Sequence, residues 1–223
     1  MTVSPPPSAR LDVAAIAIVA GWLLGATLTH TVGLWIGLGS PAIVLAVATV
    51  VRCGRDLDGW RVSIRGLALG GVVGVAMTMG TLALFGPVTA FIPALRTDVV
   101  GLYAALGHPG TVTALVLLPL IVICEEIAWR GAVFQALSSR LPWAPAALAG
   151  SVLYAVVHAP IGSPALLVTC LAAGLCWNAL RAWTRSLPAV IFAHLIWDAG
   201  VLLLYRVVGY YDDDGGESGA AVG

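Results

Sequence analysis

Residues 111–137 read TVTALVLLPLIVICEEIAWRGAVFQAL, and this stretch decides the fold. It is longer than the roughly 20 residues that an α-helix needs to cross a bilayer, and its only charged residues are Glu125, Glu126 and Arg130. Each charge at the bilayer centre costs about 2.5–3.5 kcal/mol. Glu126 and Arg130 stand four residues apart, a spacing that lets them pair on one helix face. Glu125 has no such partner and is therefore a candidate functional residue.

The composition of the whole chain is that of a membrane protein. Hydrophobic residues make up 60% of its 223 residues and charged residues only 10%, whereas a soluble domain has about 25% charged residues. Seven apolar segments approach the length of a membrane span, at residues 11–30, 32–51, 66–92, 111–137, 144–160, 164–181 and 187–207. The sequence therefore predicts an all-α, multi-pass integral membrane protein, a transmembrane helical bundle of about seven spans.

The seven segments are predicted to form one membrane-embedded domain over residues 11–208, with the motif-bearing core at residues 111–205. Residues 1–10 contain three consecutive prolines and are predicted to be a flexible tail. Residues 209–223 are rich in Gly and Asp and are predicted to be a disordered acidic tail. The formal net charge is zero, so nothing in the composition indicates a nucleic-acid partner.

Arginine placement predicts the orientation of the bundle. If all seven segments span, eight arginines fall on the side of the N-terminus, and Arg96 and Arg206 fall on the other side. Cytoplasmic loops carry an excess of basic residues, so the N-terminus is predicted to be cytoplasmic. The eight are Arg10, Arg52, Arg55, Arg61, Arg65, Arg140, Arg181 and Arg185.

Two further apolar segments carry polar side chains. The fifth contains Tyr154-Ala-Val-Val-His158, and the seventh contains His194-Leu-Ile-Trp-Asp198. The four-residue step stacks His194 and Asp198 on one helix face. Each polar group is costly in a membrane, but together with Glu125 they become tolerable if they face one hydrated cavity. Because His158 lies late in its segment and His194 early, they meet only if the fifth helix is tilted, short or displaced toward the cytoplasm.

The chemistry open to this set is hydrolysis by an activated water. A glutamate and a histidine can deprotonate water while a second histidine donates to an oxyanion. Glu125, His158, His194 and Asp198 also supply two oxygen and two nitrogen ligands, a set that suits zinc. No cofactor is firm from the sequence. The metal-free reaction is favoured, because four protein ligands would leave zinc no position for water.

Three motifs carry a resemblance to a known family. They are Glu-Glu-x-x-x-Arg at 125–130, aromatic-x-x-x-His at 154–158 and His-x-x-x-Asp at 194–198. In this order they resemble the CPBP family of CAAX prenyl endopeptidases and bacteriocin-processing or immunity membrane proteins, also called the Abi family. The resemblance implies an intramembrane endopeptidase, glutamate-type or metal-dependent, that acts on a peptide or protein substrate in or near the lipid bilayer.

The resemblance also implies roles for the first two motifs. By analogy, Glu125 and His158 activate the water. Glu126 and Arg130 shape the site around them. Tyr154 stands where the family usually has Phe, a mild change that adds a hydroxyl group.

For the third motif, the resemblance implies that His194 and Asp198 stabilise the oxyanion. The CAAX enzymes usually carry Asn at the position of Asp198, whereas many bacterial members carry Asp. An ionised Asp cannot donate a hydrogen bond. Asp198 must therefore be protonated, orient His194 or bind a metal.

Two other functions stay open at this point. One is a non-proteolytic membrane protein that binds a peptide or a partner, of the kind that immunity members of the family represent. The other, less favoured, is a small transporter that uses Glu125 and the histidines as a proton relay. The sequence has no internal repeat, which weighs against the transporter. Retention of all four candidate catalytic groups favours the protease.

Overall fold

The computed structural model describes residues 7–107 and 113–203, and all regular secondary structure in these ranges is helical. The α-helices there are α1 Pro7–Val32, α2 Leu34–Cys53, α3 Ile64–Phe91, α4 Pro93–Leu106, α5 Leu118–Glu126, α6 Phe134–Ser138, α7 Trp143–Val156, α8 Pro164–Thr184 and α9 Leu187–Asp198. The π-helical segments Thr113–Leu117 and Ile127–Val133 extend and join α5 and α6 into one continuous helix, called the composite helix below. A 3₁₀ turn, Ala159–Ile161, follows α7. The predicted all-α fold is confirmed.

Five segments are long and apolar enough to cross a membrane, and they coincide with five of the seven predicted spans. They are Ala9–Val32, Leu34–Cys53, Ile64–Phe91, Trp143–Ile161 and Pro164–Thr184. The two other predicted spans are the composite helix and the shorter apolar helix Leu187–Leu203. The chain is an integral membrane protein, and about seven is an approximate count of its spans.

The predicted tails lie mostly outside the described residues. The helix α1 begins at Pro7, within the stretch 1–10 that was predicted to be a flexible tail. Residues 1–6 and the predicted acidic tail 209–223 are not among the residues that the structure describes. The boundaries of the domain therefore stay predictions.

One end of the bundle gathers the loops that carry most arginines. Arg140, after α6, pairs with Asp12 at the start of α1. Arg181, near the end of α8, pairs with Asp58 in the loop between α2 and α3. We call this the arginine end. Its arginines are Arg10, Arg52, Arg55, Arg61, Arg65, Arg140, Arg181 and Arg185.

The other end is built around α4, and we call it the α4 end. Trp35, at the start of α2, donates a hydrogen bond to the Leu106 carbonyl of α4 (2.8 Å). His30, near the end of α1, lies with Nε2 2.7 Å from the Pro160 carbonyl oxygen after α7. These contacts place the end of α1, the start of α2, the end of α4 and the turn after α7 together at this end of the bundle.

The sequence did not predict α4, which falls between two predicted spans. Its carboxylate Asp98 accepts hydrogen bonds from the Ser163 hydroxyl (2.9 Å) and the Ala165 amide (2.7 Å). Ser163 is also the N-cap of α8. Free amides at a helix start need such acceptors. The helix α4 is therefore tied to the beginning of α8 at this end of the bundle.

The helix α7 ends early. It has 14 residues, which span about 21 Å at 1.5 Å per residue, against about 30 Å for the hydrocarbon core of a bilayer. His158 lies in the turn that follows and is only 4% exposed. The expected short fifth helix is thus present, and it leaves His158 inside the bundle.

Glycines let α3 approach α9 closely. A Cβ atom at Gly70 would lie 2.2 Å from the Ala189 carbonyl oxygen, and one at Gly74 would lie 2.7 Å from that of Ala193. Neither distance is possible for a real side chain. This close packing fixes the position of α9, the helix that carries His194 and Asp198.

Candidate active site

A cavity of about 300 Å³ lies within the bundle, on the α4 side of its centre. Four of the side chains that the sequence singled out line it: Glu125 from α5, His158 after α7, and His194 and Asp198 from α9. All four are less than 10% exposed. The structure thus brings together, on one cavity, polar groups from three separate apolar segments.

Glu125 is held on one side and open on the other. The Tyr154 hydroxyl donates a hydrogen bond to Glu125 Oε1 (2.7 Å). The Tyr154 ring packs edge-to-face on Trp129, with 5.1 Å between ring centroids. No group among the described residues donates to Glu125 Oε2. A water in the cavity can therefore reach this oxygen.

Glu126 points away from the cavity into a buried cluster. Its Oε1 accepts from Arg130 Nη1 (3.0 Å) and from His194 Nδ1 (2.7 Å). Glu126 and Arg130 are 0% and 1% exposed, and neither lines the cavity. The guanidinium also lies over the rings of Tyr154 (4.6 Å) and Trp177 (4.9 Å). The pair that the spacing predicted is present, and it supports the cavity wall from behind.

A π-helical segment, Ile127–Val133, begins directly after the two glutamates. All seven of its residues are buried. A π turn is wider than an α turn and often occurs at functional sites. The Trp129 and Arg130 side chains of this segment lie in the core. Sequence periodicity gave no sign of this segment.

The His194 ring is fixed from three directions. Nδ1 bonds Glu126, and Nε2 lies 3.5 Å from Asp198 Oδ2. The Trp177 indole stacks on the ring face, with centroids 3.8 Å apart and 27° between the planes. Because a carboxylate can only accept, Nδ1 carries a proton. Nε2 is the nitrogen left to face the cavity.

His158 has a partner that sequence reasoning missed. Its Nδ1 lies 2.6 Å from the Tyr154 carbonyl oxygen, which can only accept, so Nδ1 carries the proton. Its Nε2 then accepts a hydrogen bond from the Trp22 indole of α1 (3.3 Å). The sequence gives one sign that Trp22 is special. Membrane tryptophans concentrate at the interfaces, whereas Trp22 lies near the middle of a span.

The four cavity side chains do not fit a metal site. Within residues 7–107 and 113–203, no three His, Cys, Asp or Glu side chains are arranged so that they could hold a metal ion. We therefore derive no reaction step through zinc.

Comparison with known proteins bears on the second half of the chain. Residues 107–200 match the family model described as type II CAAX prenyl endopeptidase Rce1-like. Over these residues, the match agrees with the resemblance that the motifs carry. No curated protein and no solved structure matches the chain.

The matched region contains all three motifs of the CAAX-protease-like site. It supports an intramembrane endopeptidase of the CAAX-protease type acting on a membrane-associated peptide. The helices α1 to α3, and with them Trp22, lie outside it. The Trp22 contact is therefore a feature of this structure that the family match does not cover.

Proposed function

We propose that the chain is an intramembrane endopeptidase that hydrolyses a peptide bond of a membrane-associated protein or peptide with a water activated by Glu125. One observation carries the proposal: the Glu125 carboxylate lines a buried cavity together with two histidines, and one of its oxygens is open to that cavity. A carboxylate in such a place can act as a general base. The family match gives independent support for the reaction class.

In the proposed first step, a water lies between Glu125 and His158. Glu125 takes one of its protons while the water oxygen attacks the carbonyl carbon of the substrate. The Trp22 indole now donates to His158 Nε2 at 3.3 Å, which is long for an N–H hydrogen bond. A water that donates to His158 Nε2 can replace this indole donor. The catalytic water is therefore proposed to bind where the Trp22 N–H now points.

The oxyanion that forms needs a hydrogen-bond donor. We assign this role to His194, because Glu126 fixes Nδ1 and leaves Nε2 to face the cavity. In this role His194 is an imidazolium: Nδ1–H donates to Glu126, and Nε2–H donates to the negative charge that develops on the substrate oxygen. The C–N bond breaks as protonated Glu125 returns its proton to the leaving nitrogen and the C=O bond re-forms. The products are a carboxylic acid and an amine, and the proton of the acid then passes to the amine, so that they leave as a carboxylate and an ammonium.

The test is hydrolysis in water labelled with ¹⁸O. The purified protein in detergent micelles is incubated with a mixture of apolar peptides, and mass spectrometry identifies new termini. We expect each new carboxyl terminus to carry one ¹⁸O atom, because the attacking oxygen comes from water. The Glu125→Gln variant is the control and should give no products. Tight peptide binding without any new terminus would support the non-proteolytic binding protein instead.

A further inference from the structure

Trp177 lies against the active site, although none of the three motifs contains it. It belongs to α8 and is only 1% exposed. Its indole stacks on the His194 ring, with 3.8 Å between the ring centroids and 27° between the planes. The other ring pairs described around the cavity have centroids at least 4.9 Å apart. The indole and the imidazole are therefore in direct face-to-face contact.

The hydrogen bonds of His194 do not by themselves fix the plane of its ring. Nδ1 donates to Glu126 Oε1 at 2.7 Å, which holds one atom of the ring. The second polar contact, between Nε2 and Asp198 Oδ2, is 3.5 Å long and at the limit of hydrogen-bond distance. The ring torsion of a histidine also has a broad energy minimum. Rotation about the bond to Glu126 would therefore swing Nε2 across the cavity unless another group held the ring face.

The Trp177 indole is itself held in place by its neighbours. It makes T-shaped contacts with the rings of Tyr154 and Trp197, with centroids 6.3 and 5.7 Å away and planes at 72° and 75°. Edge-to-face contacts of this kind are a preferred arrangement of aromatic pairs. The Arg130 guanidinium lies 4.9 Å from the centroid of the same indole. The indole thus presents a rigid surface to His194.

The place of Trp177 along the bundle is set by contacts between α8 and α7. Asn178, the next residue, donates from Nδ2 to the Ala147 carbonyl (3.1 Å) and the Ser151 hydroxyl (2.9 Å). A Cβ atom at Gly174 would lie 3.1 Å from the Ser151 Cβ, so the two helices are close at this point. Hydrogen bonds and small residues are the usual means of holding membrane helices together. These contacts fix the register of α8 against α7 and, with it, the place of the indole.

We propose that Trp177 is a positioning residue of the proposed hydrolysis: its indole holds the plane of the His194 ring, so that Nε2–H points at the oxygen of the substrate carbonyl. The proposal rests on the role given to His194 under the proposed function. A donor to an oxyanion is effective when it is already aimed at the place where the charge develops. The stack also suits the charged form of His194, because the face of an indole attracts a cation.

The test compares two substitutions of Trp177. Trp177→Phe keeps a flat ring against His194, whereas Trp177→Met fills space with a flexible side chain that has no flat face. Trp183→Met is the matched control, because Trp183 lies on the same helix and is 70% exposed. All variants are purified in detergent micelles, and their thermal unfolding is measured, so that activities are compared only between folded proteins.

The first measurement reports the stack and needs no turnover. The chain has four histidines, so NMR of protein labelled with ¹³C-histidine can assign the His194 ring by its loss in His194→Gln. The ring current of the indole should shift the His194 ring protons upfield, and Trp177→Met should abolish this shift. The order parameter of the His194 ring should fall in the same variant. A His194 ring that stays as rigid in Trp177→Met as in the unaltered protein would overturn the proposal.

The second measurement is the rate of hydrolysis of an apolar peptide that the unaltered protein cuts. We expect Trp177→Met to lower kcat about ten- to hundredfold with KM nearly unchanged, because a small misplacement of a catalytic group costs up to about 10²-fold. Trp177→Phe should keep most of kcat, and Trp183→Met should leave it unchanged. A folded Trp177→Met protein with unaltered kcat would refute the positioning role. If Trp177→Met does not fold, Trp177→Phe decides, because its kcat must change together with its His194 ring shift.

The two measurements separate this inference from the proposed hydrolysis. If no peptide is cut while Trp177→Met loosens the His194 ring, the proposed hydrolysis fails and the positioning of the ring stands. If peptides are cut but kcat does not follow the stack, the role of Trp177 fails and the hydrolysis stands.

Discussion

Glu125 and Glu126 are neighbours in the chain, yet they belong to two regions of opposite character. Glu125 faces the cavity, with one oxygen held by Tyr154 and the other open. Glu126 faces the buried cluster behind the cavity wall, where one of its oxygens accepts from both Arg130 and His194. The first carboxylate is left available for chemistry, and the second is committed to structure.

This difference teaches how a membrane protein tolerates adjacent charges. A buried ion pair is weak as a source of stability, but removal of one partner leaves an uncompensated charge. Glu126 and Arg130 are such a pair, 0% and 1% exposed. Loss of the Glu125 charge leaves no cation unpaired. The same substitution should therefore remove activity with little loss of stability at Glu125, and should lower stability at Glu126.

The largest effect is expected for Glu125→Gln on activity. The amide keeps an acceptor for the Tyr154 hydroxyl but cannot take a proton from water. The loss of a general base should lower kcat by about 10²–10⁴-fold, with expression and melting temperature nearly unchanged. Turnover of a cleaved peptide and thermal unfolding in detergent measure the two quantities. Full cleavage by this variant would remove Glu125 from the mechanism.

Glu126→Gln should mainly reduce stability. It leaves the Arg130 charge unpaired inside the bundle, and this should lower the free energy of unfolding by about 3–5 kcal/mol. It also weakens the hold on His194 Nδ1, so activity should fall too. Denaturant unfolding in micelles measures the free-energy change, with Glu125→Gln as the matched control one residue away.

A double variant sharpens this second comparison. Glu126→Gln combined with Arg130→Met removes both charges, so it should be more stable than Glu126→Gln alone. A double variant less stable than either single variant would show that the stability of the protein depends on the packing of the Arg130 side chain more than on its charge.

Trp22→Phe changes the cavity side of the site and should have a smaller effect than the glutamate variants. It removes the indole donor to His158 Nε2 but keeps an aromatic ring against Trp129, whose centroid now lies 5.6 Å from that of Trp22. One neutral hydrogen bond contributes about 0.5–1.5 kcal/mol, so freeing Nε2 for water should raise kcat about two- to tenfold. Steady-state kinetics measure this change. A loss of activity would mean that Trp22 holds His158 in its productive orientation.

The smallest effect is expected for Asp198→Asn. At 3.5 Å from His194 Nε2, the carboxylate is at the limit of hydrogen-bond distance, and an amide of the same shape can replace it. Activity should stay within about threefold, because less than one ordinary hydrogen bond is at stake. The rate should also persist in the presence of a chelator. Loss on chelation and recovery with zinc would contradict the metal-free reaction.

The sequence predicted those features of the fold that depend only on residues close together along one helix. Apolar length gave the spans, and the four-residue step between Glu126 and Arg130 gave their pairing, because both depend only on neighbours along one helix. The helix α4 was missed, since it is short and carries Arg96 and Asp98 among its apolar residues. Its place is set by contacts with α2 and α8, which no local pattern contains.

The site was predictable in its members and less so in its contacts. The three motifs named the cavity side chains, but the bond between Trp22 and His158 joins residues 136 positions apart. The π-helical segment Ile127–Val133 also left no trace, because it depends on how tightly the surrounding helices pack. The sequence therefore did not predict the long-range contacts of the site or the local distortion of its helix.

The shared carboxylate of Glu126 has a consequence for how the chain is made. Arg130 is available as soon as the composite helix forms, whereas His194 is synthesised 68 residues after Glu126. Before α9 is made, the composite helix carries three charged side chains, of which Glu126 and Arg130 can pair with each other. We therefore expect α9, the last helix of the described residues, to complete the membrane integration of the composite helix. Glycosylation-tagged chains truncated before and after Leu187 should differ in that step.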